Sequence, residues 1–407
     1  MHERRDRGGT DVIPAAIHAD RPHRIEMKQR APGLYIPGLY IPGPYVPGPY
    51  VLSPEIGFWI SGRMLAIIMA PPRWSEAMIP IVDLTDYLAG KPGALARTAK
   101  DIHDAFSRIG FFVIVGHDVP SPLIERTFAE AKRLHDRPMN EKVQLKLNAH
   151  NNGYMALGRY AVWTSDVNDN DKPDLNEAFF VRRERAPDNP MRMTGRRFTG
   201  PNVWPDEAPM PGFRAHILEY LDAMEDFTNR LLPAVAVSLD LDPGFFTPHF
   251  VESQFNLRLS HYPPVRAESN QFGIAPHSDA NFMTFLAQSD VPGLQVRTVD
   301  GTWIDMPYIP GSFVVNAGDT LKRWSNGRFL STPHRAIPPT GRSRYAIPFF
   351  LAPHLDSRIE CLPTCAGPGN PPRWDPISYE DWITWWTNEN YDPKRQQDLP
   401  AGPASQT

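Results

Sequence analysis

From about residue 255 onward the chain alternates as strands do. The runs 257–262, 282–286, 294–297, 303–306, 312–316, 335–337 and 344–350 are short, rich in β-branched or aromatic residues, and separated by Pro and Gly turns at close intervals. Short strands in such succession bury their faces by closing into a barrel or a pair of facing sheets. Upstream, residues 94–109 carry apolar side chains at Leu95, Ala99, Ile102, Phe106 and Ile109, a helical spacing that stops at Gly110. Residues 122–137 read as a second helix. The longest helical pattern, 212–239, has Phe213, Ile217, Leu221, Met224, Phe227 and Leu231 on one stripe. Strands are also expected at 79–84 and 111–115, and an aromatic helix at 379–386. The Pro- and Asn-rich stretch 148–211 reads mostly as long loops of the kind that form lids or substrate walls. Helices largely before strands predict an α+β arrangement in which helices buttress a β core.

The first 77 residues have a different texture. Four tandem pentads run from Gly33-Leu34-Tyr35-Ile36-Pro37 to Gly48-Pro49-Tyr50-Val51-Leu52. Proline at that period removes backbone donors and blocks helix. Residues 1–77 are therefore expected to be a low-complexity extension, disordered or upstream of the true start, with Met64, Met69 and Met78 as candidate starts. The remaining divisions expected are a helix-rich region at 78–210, the long helix with its β unit at 211–365, and a tail at 366–407.

Composition removes several function classes. With 42 basic and 46 acidic side chains the formal charge is −4, which argues against a nucleic-acid binder that neutralises phosphates. No apolar stretch reaches the roughly 18 residues of a membrane-spanning helix. Cys361 and Cys365 are the only cysteines, too few for a disulfide framework or a four-cysteine zinc ribbon. The expectation is a cytoplasmic protein, monomeric, with a small-molecule substrate.

The chemistry-bearing residues lie in the strand-rich half. On a strand, residues two apart share a face, so His277 and Asp279 can aim at one point. A third ligand, His334, follows from another strand. Two imidazoles and a carboxylate form the facial triad that holds Fe(II) while leaving three coordination positions open. Pro338-Pro339-Thr340-Gly341 is a turn signal midway between His334 and Arg344. A hairpin centred there would set Arg344 opposite His334, where its guanidinium could grip a carboxylate bound to the metal. Arg258, Ser260 and Tyr262 share one strand face and would present a cation and two hydroxyls to the same pocket. Phe272, Asn281, Phe282, Tyr154, Arg159 and Tyr160 are candidate substrate walls. A zinc hydrolase on the same three ligands and a catalytically silent binding protein are the alternatives from other classes.

Further segments extend the pattern: Ile79-Pro80-Ile81-Val82-Asp83-Leu84, Gly110-Phe111-Phe112, His261-Tyr262-Pro263-Pro264, Pro276-His277-Ser278-Asp279, Val291-Pro292-Gly293-Leu294-Gln295-Val296, Val315-Asn316-Ala317-Gly318-Asp319, Trp324-Ser325-Asn326-Gly327 and Ser331-Thr332-Pro333-His334-Arg335. In this order, over about 79–355, the chain resembles the isopenicillin N synthase-like family of Fe(II)/2-oxoglutarate-dependent oxygenases. The resemblance implies a double-stranded β-helix, or jelly roll, flanked by helices. It implies that His277, Asp279 and His334 bind iron, and that Arg344 holds the far carboxylate of 2-oxoglutarate with Tyr262 in contact. O2 would complete the reaction, and hydroxylation or desaturation of an organic substrate would follow. The family usually has Arg-x-Ser where this chain reads Arg344-Tyr345-Ala346, and Ser260 stands where plant relatives often have Asn. Alanine at that place is shared with the ethylene-forming branch, so breakdown of 2-oxoglutarate to ethylene is an alternative reaction. Isopenicillin N synthase itself uses no 2-oxoglutarate, which leaves a substrate-only oxidase as another.

Overall fold

The computed structural model describes residues 79–391, together with the backbone of β1 (Gly57–Ile60) and β2 (Arg63–Ala66), which pair as an antiparallel hairpin. That hairpin belongs to a separate unit, Met1–Ala70; the rest of the chain forms a second. The pentad repeat and the polar end beyond Tyr391 lie outside the described residues.

The larger unit begins with β3 (Ile81–Asp83), α1 (Thr85–Leu88), α2 (Ala94–Arg108) and β4 (Phe111–Val115). The apolar stripe of α2 buries Ile102 and Phe106 completely. The helix stops where the backbone N–H groups of Ile109 and Gly110 both donate to the Ala105 carbonyl. Gly110 has φ +73°, and a Cβ there would meet the Leu330 carbonyl oxygen at 2.4 Å, so this turn requires glycine. Next come α3 (Ser121–His135), α4 (Met139–Lys142), β5 (Gly153–Met155), β6 (Glu177–Arg182), α5 (Pro190–Met193) and α6 (Phe213–Val237). All six stripe residues of α6 are buried, and Phe227 meets Phe285 edge-on with centroids 5.6 Å apart, docking the helix on the β core. The stretch expected as loops thus contains β6, whose Glu177–Phe180 segment is buried throughout. Its run of consecutive buried residues hides the period-2 signal that marks a half-exposed strand.

The strand-rich half contains β7 (Asn256–Tyr262), β8 (Ile274–His277), β9 (Met283–Gln288), β10 (Leu294–Arg297), β11 (Trp303–Asp305), β12 (Phe313–Ala317), α7 (Asp319–Trp324), β13 (His334–Ala336) and β14 (Arg344–Leu351). A small pair, β15 (Arg358–Ile359) with β16 (Ile377–Ser378), leads into α8 (Tyr379–Tyr391). Eight strands form a large sheet in the order β3-β4-β12-β9-β14-β7-β6-β5, and four form a small one, β11-β10-β13-β8. From β7 to β14 the chain switches between these sheets at every step except β10 to β11, which is the jelly roll the resemblance implied.

This switching overturns the expected hairpin. β13 pairs with β8 and β10 in the small sheet, whereas β14 pairs with β7 and β9 in the large one. The Pro338–Gly341 segment crosses between sheets, and Arg344 stands opposite Tyr262, not His334. His334 stands opposite His277. A turn signal locates a reversal of the chain, but which strand the returning segment pairs with is decided by hydrogen bonding across the whole sheet.

The outer face of the large sheet carries the main core. On β14, Ile347, Phe349 and Leu351 pack towards the helices, while Arg344, Ala346, Pro348 and Phe350 line the interior of the roll. A buried ionic cluster ties α3 and α4 to β6 and β7. The Lys142 ammonium donates to Glu177 Oε2 at 2.8 Å, the Tyr154 hydroxyl donates to the same carboxylate, and His261 Nδ1 donates to Oε1 at 2.7 Å. Burial opposes ionisation of Glu177, but His135, His261 and Lys142 together hold its carboxyl well below the ordinary range. Its anionic form therefore stabilises the fold above the ordinary carboxylate range, and that contribution fades as pH falls through and below about 4.3. Lys142→Met leaves the carboxylate without its cation and is expected to cost about 3–5 kcal/mol in urea unfolding at neutral pH. The acid side of the stability profile should flatten in Glu177→Gln.

Candidate active site

His277 ends β8, His334 opens β13, and Asp279 lies two residues past the end of β8. The two imidazoles face each other across the strand pair with centroids 4.4 Å apart. Asp279 Oδ1 is 3.7 Å from each Nε2, and all three ligand atoms lie within 4.8 Å of one another. Strand alternation predicts this convergence, but a turn achieves it: Asp279 is placed by the backbone bond from Asp319 N to its own carbonyl at 2.7 Å.

The surrounding hydrogen bonds prepare each ligand atom. His277 Nδ1 lies 2.8 Å from the Ala275 carbonyl and His334 Nδ1 lies 3.1 Å from the Thr332 carbonyl. A carbonyl only accepts, so Nδ1 carries the proton in both rings and each Nε2 presents a lone pair. Asp279 Oδ2 accepts from Thr284 Oγ1 at 2.6 Å and from Asn316 Nδ2 at 2.8 Å, which leaves Oδ1 turned to the imidazoles. Burial, reinforced by the neighbouring His334, pushes His277 below its ordinary pKa and keeps it neutral. Burial opposes the charge on Asp279, but the facing imidazoles and the two donors keep it an anion. Two neutral imidazoles and one carboxylate with its free oxygen inward suit Fe(II) bound on one face. The other buried His/Glu cluster among the described residues, His135, Glu177 and His261, is already neutralised by Lys142 and offers no such vacancy of charge.

Two cavities meet at the triad. One is lined by His277, Asp279, His334, Arg344 and Tyr262, with Ile274, Leu286, Leu294 and Pro348 as apolar walls. Arg344 is 1% exposed, its guanidinium lies 4.9 Å from the Tyr262 ring centre, and its Nε has no partner. Among the described residues no carboxylate pairs with it. Burial pulls its pKa down, and Tyr262 is the neighbour that acts against that shift. Ser260 is directly opposite Ala346, fully buried, with an unpartnered hydroxyl. The second, larger cavity shares Arg258, Asp279 and Phe350 with the first and extends between β6, β7 and α8.

The candidate substrate walls separate accordingly. Asn281 lines the larger cavity, although its amide donates to the Met283 carbonyl at 2.6 Å. Phe282 does not reach either cavity; it is fully buried against Phe246, Phe250 and Trp324. Tyr154 belongs to the Glu177 cluster on the far side of the sheet. Arg159 is exposed, Tyr160 packs on Tyr391, and Phe272 stacks under the Arg335 guanidinium at 5.4 Å. Loop position does not identify walls, because side-chain direction in a loop follows no period. Thr284 and Asn316 are site residues that the sequence expectations lack. Both are polar residues inside otherwise apolar strands, and that anomaly is readable in the sequence. Arg182 is lacking because β6 reads as loop, and the cavity face of α8 is lacking because the aromatic helix expected at 379–386 carries no local sign of what it faces.

Comparisons with known proteins agree with this geometry. Residues 253–353 match the model of the 2OG-Fe(II) oxygenase superfamily, and residues 79–207 match that of the non-haem dioxygenase in morphine synthesis N-terminal region. The 2-oxoglutarate-Fe(II) type oxidoreductase hxnY of Emericella nidulans is 33% identical over 319 residues, covering 77% of this chain and 90% of the relative. The homoarginine-6-hydroxylase 2-ODD-C23 of Glycine max is 32% identical, covering 70% and 88%. A full-length Neurospora crassa protein, solved in complex with alpha-KG and thymine, superposes with a TM-score of 0.67 at 27% identity, over 77% of this chain and 97% of that one.

Removing either donor to Asp279 frees the carboxylate to rotate. Asn316→Ala and Thr284→Val are each expected to weaken Fe(II) binding by about 10–100-fold in anaerobic titration. The double-stranded β-helix, the donor set and the relatives converge: this chain belongs to the 2OG-Fe(II) oxygenase superfamily and is an Fe(II)- and 2-oxoglutarate-dependent dioxygenase.

Proposed function

We propose that His277, Asp279 and His334 hold the iron and that Arg344, Tyr262 and Ser260 hold 2-oxoglutarate in the smaller cavity. The observation that carries this reading is Arg344, a buried guanidinium facing the triad's cavity with no carboxylate to pair it. A dicarboxylate supplies the missing charge, and a planar fork recognises one end of it with two hydrogen bonds. Ser260 is the proposed source of the hydroxyl missing at Ala346: it stands opposite on β7 with a buried, unpartnered Oγ, although it is not among the residues that line the smaller cavity. Tyr262 fixes the guanidinium from one side. The apolar walls exclude water, so the charge-assisted bonds to the co-substrate are stronger than in solvent.

When bound, Fe(II) and 2-oxoglutarate together supply oxidation of a C–H bond by O2, with succinate and CO2 as co-products. The larger cavity is the place for the organic substrate, since it opens onto Asp279 from the side away from Arg344. Coupled hydroxylation or desaturation of a small molecule is the favoured outcome, in line with relatives such as a homoarginine hydroxylase. Ethylene formation rests on Ala346 alone, and Ser260 removes its distinctiveness. A substrate-only oxidase would have no use for the unpaired Arg344. We also place the protein in the cytoplasm, on its two free thiols, and as a monomer.

Three measurements test this. Arg344→Ala should raise the Kd for 2-oxoglutarate at least 100-fold with iron content unchanged; joint loss of iron would make Arg344 structural instead. A hydrogen bond to a charged group contributes about 1.5–3 kcal/mol, so Ser260→Ala should raise that Kd by about 10–100-fold. Headspace ethylene matching succinate in amount, without added substrate, would replace coupled oxidation with the ethylene-forming reaction.

A further inference from the structure

The larger cavity holds more positive charge than its own walls neutralise. Arg182 and Arg258 both line it, from neighbouring strands of the large sheet. Arg258 is 6% exposed; one of its amino groups donates to Asn176 Oδ1, and its Nε has no partner. Arg182 has no acceptor for its guanidinium among the described residues; the Phe198 ring lies with its centre 4.8 Å away, and the Arg182 Nε is buried without a partner. The Gln254 amide nitrogen, another lining donor, is also unpartnered. Among the described residues the only carboxylate in the lining is Asp279, and its two oxygens are committed to the imidazoles and to Thr284 and Asn316. Burial pushes the Arg182 pKa down to about 10, so it remains a cation at neutral pH, held at a cost that a bound anion would offset.

Among the remaining lining residues the large side chains are mostly aromatic, with Asn151, Asn256, Asn281 and Thr387 as smaller polar ones. Tyr379, Ile383, Trp386 and Tyr391 form one helical stripe of α8 turned to the cavity, facing Phe180 and Phe350 on the sheet. Position sets the order of these features. Arg182 stands opposite Asn256, and Arg258 is the next residue of β7 on that face. The register Arg182–Asn256–Phe350–Thr284 sets Arg182 level with the residue that holds Asp279, and one strand further across the sheet from it than Arg258, a step of about 4.8 Å. A charged end held by Arg182 therefore lies beyond Arg258 from the metal site.

Resting on the oxygenase reading above, we propose that the substrate is a small aromatic acid. Its carboxylate is bound by Arg182 with help from Gln254, its ring is held between the α8 stripe and Phe180, and its far edge is presented to the triad beside Arg258. Aromatic walls recognise the flat body, while a bidentate guanidinium selects for the acid over a neutral analogue of the same shape.

The test uses the full chain loaded with Fe(II) and saturated with 2-oxoglutarate without O2, so that Arg344 is already occupied. Calorimetric titration compares benzoate with benzamide and 1-naphthoate with 1-naphthamide. The acid of at least one pair should bind tenfold or more tightly than its amide. Arg182→Gln should reduce that preference below threefold, and Arg182→Lys should restore part of it. An acid preference below threefold in both wild-type pairs overturns the proposal, and this comparison needs no variant to fold. A wild-type preference that survives Arg182→Gln also overturns it, since another group would then bind the acid. Failure of the underlying oxygenase reading looks different: the wild-type protein would not bind 2-oxoglutarate at the loading step.

Discussion

A strand has two faces, and the large sheet of this protein uses them for opposite purposes. Its outer face, apart from the Glu177 cluster, is apolar and is covered by α2, α3 and α6, which supplies most of the core. Its inner face carries Arg182, Arg258, Ser260, Tyr262 and Arg344, residues that a jelly roll would not bury for stability. Unpaired guanidinium groups inside a protein are costly. Such groups persist where a ligand completes them, and here they converge on one histidine pair and one carboxylate. The helices on one side thus provide the stability that lets the other side remain unsatisfied.

The small sheet contributes little apolar burial but sets the metal geometry. β8 and β13 bring His277 and His334 into direct opposition, and their Nδ1 atoms are held by carbonyls from within the same strands or the turn preceding them. Asp279 is reached from the end of β8 and fixed by donors on β9 and β12 of the large sheet. The triad therefore spans both layers, and any shift of one sheet against the other would open it. The ionic cluster around Glu177 sits on the opposite side of β6 and β7 and couples the α3–α4 corner to the strands that carry Arg182 and Arg258. The stabilising cluster and the cavity that we propose for substrate share those two strands.

Much of this is legible without coordinates. The helical stripes at 94–109 and 212–239 fold as α2 and α6 because 3.6-residue periodicity is a strong signal over three or more turns. The proposed metal ligands are legible because coordination chemistry restricts their residue types, and Arg344, the proposed partner of 2-oxoglutarate, because a carboxylate needs a cation. The departures from expectation have a common cause. Phe282 and Tyr154 look like pocket residues by neighbourhood, but a one-residue change of face sends a strand-edge side chain into the core. β6 is hidden by its continuous burial, and with it Arg182.

Fold class, the His277–Asp279–His334 cluster and the buried cation Arg344 are all written in the sequence, since they follow from local period and from the chemistry of a few side chains. Tertiary structure was needed to set Arg344 across from Tyr262 instead of His334, to face Ser260 towards Ala346, and to join Arg182 with α8 around a second cavity. Strand pairing is the reason. It is set by hydrogen bonding between segments distant in the chain, and no local pattern in either segment names its partner.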